Sequence, residues 1–136
     1  MYAIKYLFLL IPCWAICQNT LSIEVKGADS DQGKIHVALY KDAKGFLKFD
    51  KYFRNGSIAA DSSYHTLRWS DLPNGRYAIA IFHDTNDNEK LDTNWLGIPK
   101  EAVAFSKGRM KTFGPPNFEE CAFNVLGDTT VQIAFP

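Results

Sequence analysis

Cysteine is scarce in this 136-residue chain, and two of its three residues, Cys13 and Cys17, lie within the first 17. That excludes a small fold held together by several disulfides. Neither sign of charge is in excess, with 15 Lys and Arg against 15 Asp and Glu. Nucleic acid as a main partner needs a basic excess on one face, so it is not expected. No Gly-x-Ser-x-Gly of a serine hydrolase and no Gly-Lys-Ser/Thr of a phosphate loop occurs. His36, His65 and His83 are too dispersed for a metal motif such as His-x-x-x-His. There is no internal repeat, low-complexity tract or linker. Beyond residue 17, no stretch keeps a helical period over about eleven residues. What remains is a chain that is 46% hydrophobic and 22% charged, the composition of a folded protein with room for one domain.

Residues 1–17 read as an address. Lys5 is their only charge, an apolar run from Tyr6 to Ile16 follows, and Ala15 and Cys17 have small-x-small spacing. This is the pattern of a secretory signal peptide, too short to span a bilayer. Cleavage after Cys17 leaves Gln18 first. Lipid attachment at Cys13 or Cys17 is the alternative, but the residues before each fit a lipoprotein signal poorly. The expectation is a secreted or periplasmic protein, with a lipid-anchored outer-membrane form second, and with 18–136 as a single domain free of transmembrane spans. Cys121 is then the one remaining thiol. Set between Glu120 and Ala122, it reads as a buried small hydrophobe rather than a nucleophile.

The rest reads as strands. Leu21, Ile23 and Val25 alternate with polar residues, as do Ile35, Val37 and Leu39, and the two runs suggest a hairpin. Residues 41–55 suggest a long loop tucking aromatics onto the core edge. Ser57 to Ala60 and Thr66 to Trp69 are further strands, with Leu67 and Trp69 on the buried face. Pro73-Asn74-Gly75 is a turn. Arg76 to His83 is apolar on both faces, the mark of a central strand. Cys121 to Val125 and Thr130 to Phe135 suggest a last pair. The expected fold is all-β: an antiparallel β-sandwich of about seven strands.

Candidate chemistry concentrates after the central strand. Asp84, Asn86 and Asn88 stand at the first, third and fifth positions of a polar loop spanning 84–94, and Asp92 at the ninth. Ca²⁺ takes oxygens from carboxylates, amides and backbone carbonyls, and alternate residues of a curled loop point them inward. The Lys90 carbonyl would be a further ligand, with Leu91 anchoring the loop in the core. Glu89 stands at the sixth position, where an EF-hand has Gly, and Trp95 at the twelfth, where it has Glu. Asx turns, in which Asp and Asn bond their own backbone, are the alternative for this loop. His83 beside Asp84 is a candidate general base, with Asp92 as a further acid/base group and Arg109 as an anion clamp. Lys100, Lys107, Arg109 and Lys111 suit an anionic glycan or lipid head group, or a solvated face. Trp95 is expected to pack beneath its loop. Phe113 is expected to cover the open end of the sandwich or to form a pocket wall.

Several segments together resemble a bacterial family of exported proteins, domain of unknown function 2141. They are Ile35 to Tyr40, Asp71-Leu72-Pro73-Asn74-Gly75-Arg76-Tyr77-Ala78-Ile79, His83-Asp84 through Asn94, Trp95 to Glu101, and Phe113-Gly114-Pro115-Pro116 with Phe118. The family often has Gly where this chain has Glu89. The resemblance implies an exported sandwich, immunoglobulin-like or prealbumin-like, and brings no activity. The reading is an exported, non-enzymatic module that binds a small ligand, a glycan or an envelope protein, with a Ca²⁺ loop formed by Asp84, Asn86, Asn88, Lys90 and Asp92. Trp95, Arg109 and Phe113 are its candidate binding surface. The alternative is a small hydrolase or isomerase using His83 and Asp84.

Overall fold

A computed structural model describes residues 18–61 and 63–136, so the leader expected at 1–17 lies outside the described residues. Among the described residues eight strands run in chain order: β1 (Asn19–Lys26), β2 (Lys34–Tyr40), β3 (Arg54–Ala59), β4 (Tyr64–Leu72), β5 (Gly75–Asp84), β6 (Val103–Phe105), β7 (Phe123–Val125) and β8 (Thr129–Ala134). One four-residue helix, α1 (Phe118–Cys121), precedes β7. Asn117 starts it. The Asn117 side chain accepts from Glu120 N at 2.9 Å, and Glu120 accepts from Asn117 N at 2.7 Å, a reciprocal cap.

Two sheets form a β-sandwich. One is ordered β4-β1-β8; the other is ordered β3-β2-β5-β6, with β7 also paired to β5. The alternating residues of both sheets meet in one core containing Leu21, Ile23, Val25, Val37, Ile79 and Ile133. Burying such side chains stabilises by about 1.5–3 kcal/mol each.

Two expected pairings differ. Leu21–Val25 and Ile35–Leu39 are not a hairpin, because β1 and β2 lie in opposite sheets. The residues between them cross the sandwich end, and a glycine closes each side of the crossing. A Cβ on Gly27 (φ +78°) would lie 3.2 Å from Phe135 O, and one on Gly33 (φ +74°) would lie 1.9 Å from Asp84 O. Likewise β7 and β8 do not pair with each other. β7 pairs β5, while β8 crosses to the other sheet and runs parallel to β1, from Leu21 opposite Thr129 to Lys26 opposite Ala134. Trp69, expected to be buried, is half-buried and packs against the edge of the core.

β5 is central, as its two apolar faces require. Tyr77, Ile79 and Ile81 face the core between the sheets. Ala78, on the outer face, belongs to a second, smaller core with Tyr40, Phe105, Phe118, Cys121 and Ala122. The segment through α1 therefore roofs one end of the outer face. Among the described residues no further strand or helix roofs the rest of that face, and a concave groove lies over it.

Candidate functional site

The strand register sets out the floor of this concavity row by row. Ala38 lies directly opposite Ala80, flanked by Asn55 and Phe105. In the next row His36 lies opposite Phe82, flanked by Ser57 and Val103. The His36 and Phe82 rings stack at 4.9 Å between centroids. Two facing alanines in the middle of a sheet face leave a trough, because they remove side-chain volume where larger neighbours rise on either side. Leu47, Phe49 and Tyr52 form one wall; Leu91, Leu96, Ile98, Met110 and Phe113 form the other. The groove encloses about 970 Å³.

Its wall is stiffened by a closed turn. Asn94 Oδ1 accepts from the N–H groups of Leu96 (2.9 Å) and Ile98 (3.0 Å), and Asn94 N donates to Ile98 O at 2.9 Å. Gly97 supplies the left-handed residue, φ +80°. Because this turn closes on itself, Trp95 is held outward and is 91% exposed. The expectation that Trp95 packs beneath its loop is thereby corrected. Phe113, at the tip of a turn bridging Lys111 and Gly114, is fully exposed and stands as a groove wall rather than a cover. Leu91 lines the groove instead of anchoring its loop in the core. Arg109 is exposed beside Met110.

The polar loop adjoins the groove, which Glu89 also lines. Asp84, fully buried, accepts from Asn88 N (3.2 Å) and Glu89 N (2.8 Å), and its Oδ2 lies 3.1 Å from His36 Nε2. Burial pushes the Asp84 carboxyl up. The Glu89 and Asn88 N–H groups and the His36 ring outweigh that and hold it below the usual carboxylate range. Its stabilising effect is whole above its unfolded pKa of about 4 and is lost as pH falls through the lower folded value.

The other residues expected at the ion site converge on the same loop. Asn86 and Asn88 donate side-chain N–H to the two Asp92 oxygens at 2.7 and 2.9 Å, and Lys90 N donates to Asn88 Oδ1 at 3.0 Å. The last is an Asx turn, and the first two tie side chains to one another. Among the described residues no group of three or more His, Cys, Asp or Glu side chains is placed to hold a metal ion. Glu89 has φ +62°, the left-handed conformation that Gly takes at this position of an ion-binding loop. Nearby, Glu101 Oε2 accepts from Asp92 N at 3.1 Å, while Glu101 Oε1 is buried with no hydrogen-bond partner among the described residues.

His83 and Asp84, adjacent in sequence, are not brought together. Successive strand residues face opposite ways. His83 is buried on the core side, with Nε2 2.7 Å from Gln32 O and its ring beside Phe135. The histidine that meets Asp84 is His36, which the sequence reading passed over. Its signal was strand alternation, which puts His36 on the same face as Ala38. Cys121 is fully buried, and burial raises its thiol pKa to about 11. A disulfide reagent at pH 8 should therefore leave the native thiol unmodified and titrate one thiol more once the chain is unfolded; rapid modification of native Cys121 would contradict this burial.

No curated protein matches the chain, and no solved structure does. A model of a bacterial family, described as an uncharacterized protein conserved in bacteria (DUF2141), matches residues 23–134, and with most of the chain covered the protein belongs to that family.

Proposed function

We propose that this protein is an exported, non-enzymatic binding module. Its ligand is a small molecule with an extended apolar body, held in the groove on the outer face of the five-stranded sheet. The observation that carries this reading is the groove itself, about 970 Å³ over an alanine floor. That lies at the upper end of the range of about 300–1,000 Å³ typical of small-ligand sites. Its walls are mostly aliphatic and aromatic, and His36, Asn55, Ser57, Glu89, Lys111 and Thr112 supply the polar groups that would orient a head group. Export is supported by the leader pattern of residues 1–17.

The test is a titration with N-phenyl-1-naphthylamine, an apolar dye that fluoresces when taken out of water, followed by competition with a long-chain fatty acid. Saturable one-to-one binding in the micromolar range, reversed by the fatty acid, is expected. No saturable uptake of dye by the folded protein would end the reading.

A Ca²⁺ ion at the 84–92 loop is the second part of the proposal. It is favoured by the convergence of Asp84, Asn86, Asn88 and Asp92 and by the left-handed Glu89. Turning the two Asn amides over would offer oxygens in place of N–H groups. An ion bound there stabilises by mass action, roughly 2.7 kcal/mol at a hundredfold excess over the dissociation constant. Millimolar Ca²⁺ should raise the melting temperature by several degrees over EDTA, Mg²⁺ should not, and Asp92→Ala should remove the response. Equal melts in all three conditions would leave the loop to its Asx turns.

A further inference from the structure

The rim of the groove carries more exposed apolar surface than its floor requires. Phe113 is fully exposed, Trp95 91% and Phe49 79%, and Leu96 and Ile98 stand beside them. All lie on the two segments that border the groove, 41–53 and 95–115, the second of which contains β6. Scattered apolar side chains are ordinary on a surface, but a contiguous set rimming a cleft marks a contact site.

Charge divides along the same line. Segment 41–53 carries Lys41, Lys44, Lys48 and Lys51, and segment 95–115 carries Lys100, Lys107, Arg109 and Lys111. Every one of these cations is exposed, and only Asp42, Asp50 and Glu101 oppose them in those segments. The remainder of 18–136 has six Lys and Arg against twelve Asp and Glu. Segments 41–53 and 95–115 thus form a positive pole of net charge +5 against −6 on the rest of 18–136, interrupted at the groove by Glu89 and by the Lys111–Glu120 ion pair at 2.7 Å. Aromatic and aliphatic tips among Lys and Arg are the chemistry of the interface between lipid and water. Anionic lipid head groups attract such a pole and repel the acidic body, over a range of about 8 Å at physiological salt.

We infer that the groove mouth docks on an anionic lipid bilayer, with Phe49, Trp95 and Phe113 entering the interface and the surrounding lysines and Arg109 meeting the lipid phosphates. This rests on the reading of the groove as a site for an apolar ligand, and gives that ligand a source: an acyl chain reached from the bilayer without crossing water.

The test is co-sedimentation with vesicles of phosphatidylcholine, with and without phosphatidylglycerol, using the chain as recovered from an exporting bacterial host. All variants carry the same N-terminus, so any pull from residues 1–17 is common to them. Partitioning should be at least about tenfold stronger with phosphatidylglycerol. Phe49→Ser/Trp95→Ser/Phe113→Ser should lower it at least about tenfold, and Lys100→Glu/Lys107→Glu/Arg109→Glu should remove the preference for phosphatidylglycerol. These are surface positions, and circular dichroism and the melting temperature report that each variant is folded.

A wild type indifferent to phosphatidylglycerol would overturn the docking, as would a triple Ser variant that partitions like wild type. So would a dimer that the triple Ser variant dissociates, since a second copy would then be what covers this face. Ala38→Trp, which obstructs the floor, should keep vesicle binding within about twofold while losing the dye. Vesicle binding without dye uptake in the wild type would remove the groove reading and leave the docking supported.

Discussion

Ala38→Trp is expected to weaken dye and fatty-acid binding about tenfold to a hundredfold while the protein stays folded. Ala38 sits opposite Ala80 at the middle of the trough, with Asn55 on its other side. An indole there rises from the floor between the Leu47–Tyr52 wall and the Leu96–Phe113 wall and occupies the space the ligand needs. Trp suits a half-covered strand, and Ala38 lies on the sheet face away from the main core, so the cost to stability should be within about 1 kcal/mol. Circular dichroism and the melting temperature check the fold, and the dye titration checks the site. Undiminished affinity in a folded Ala38→Trp protein would mean that the dye sits elsewhere.

Gly33→Ala should have the largest effect on stability. A Cβ at Gly33 would lie 1.9 Å from Asp84 O and 2.8 Å from Thr85 Cα, both backbone atoms, and φ is +74°. No rotamer change relieves that contact, so the start of β2 must move away from the end of β5. That shift disturbs the bond from Ala60 N to Gly33 O and the bond between His83 and Gln32 O. It also disturbs the pairing of Lys34 with Asp84, from which the polar loop departs. A loss of about 3 kcal/mol is expected, a fall in melting temperature of roughly 10 °C for a domain of this size. Gly97→Ala is the control. Its φ is also positive, but nothing lies within 4 Å of the added Cβ, so about 1 kcal/mol is expected. Equal melts for the two variants would show that the crossing relaxes freely around Gly33.

What the sequence made legible follows from period. Alternation located β1, β2, β5 and β8, and the double apolar face of β5 marked it as central. Pairing was not legible, because two alternating runs joined by several polar residues fit a hairpin and an inter-sheet crossing equally well. The distinction lies in Gly27 and Gly33, whose necessity is visible only once Phe135 and Asp84 are packed against them. A polar loop does follow β5, and in it the side chains of Asn86 and Asn88 both bond Asp92. Its connection to the sheet was not, since His36 is 48 residues from Asp84 and only the register between β2 and β5 joins them. The groove was hidden for a related reason. Its cause is two alanines facing one another, and an alanine in a strand reads as filler until its cross-strand partner is known.

The parallel ladder between β1 and β8 has a mechanical consequence. β1 is the first and β8 the last of the described strands, and they run side by side in the same direction. Tension applied before Asn19 and after Ala134 pulls them along their length in opposite senses. The hydrogen bonds of that ladder then bear the load together, in shear, rather than opening one at a time as in a peeled hairpin. If the protein is tethered at one end and dragged at the other, this is the seam that resists, and the groove-bearing sheet stays outside the line of force.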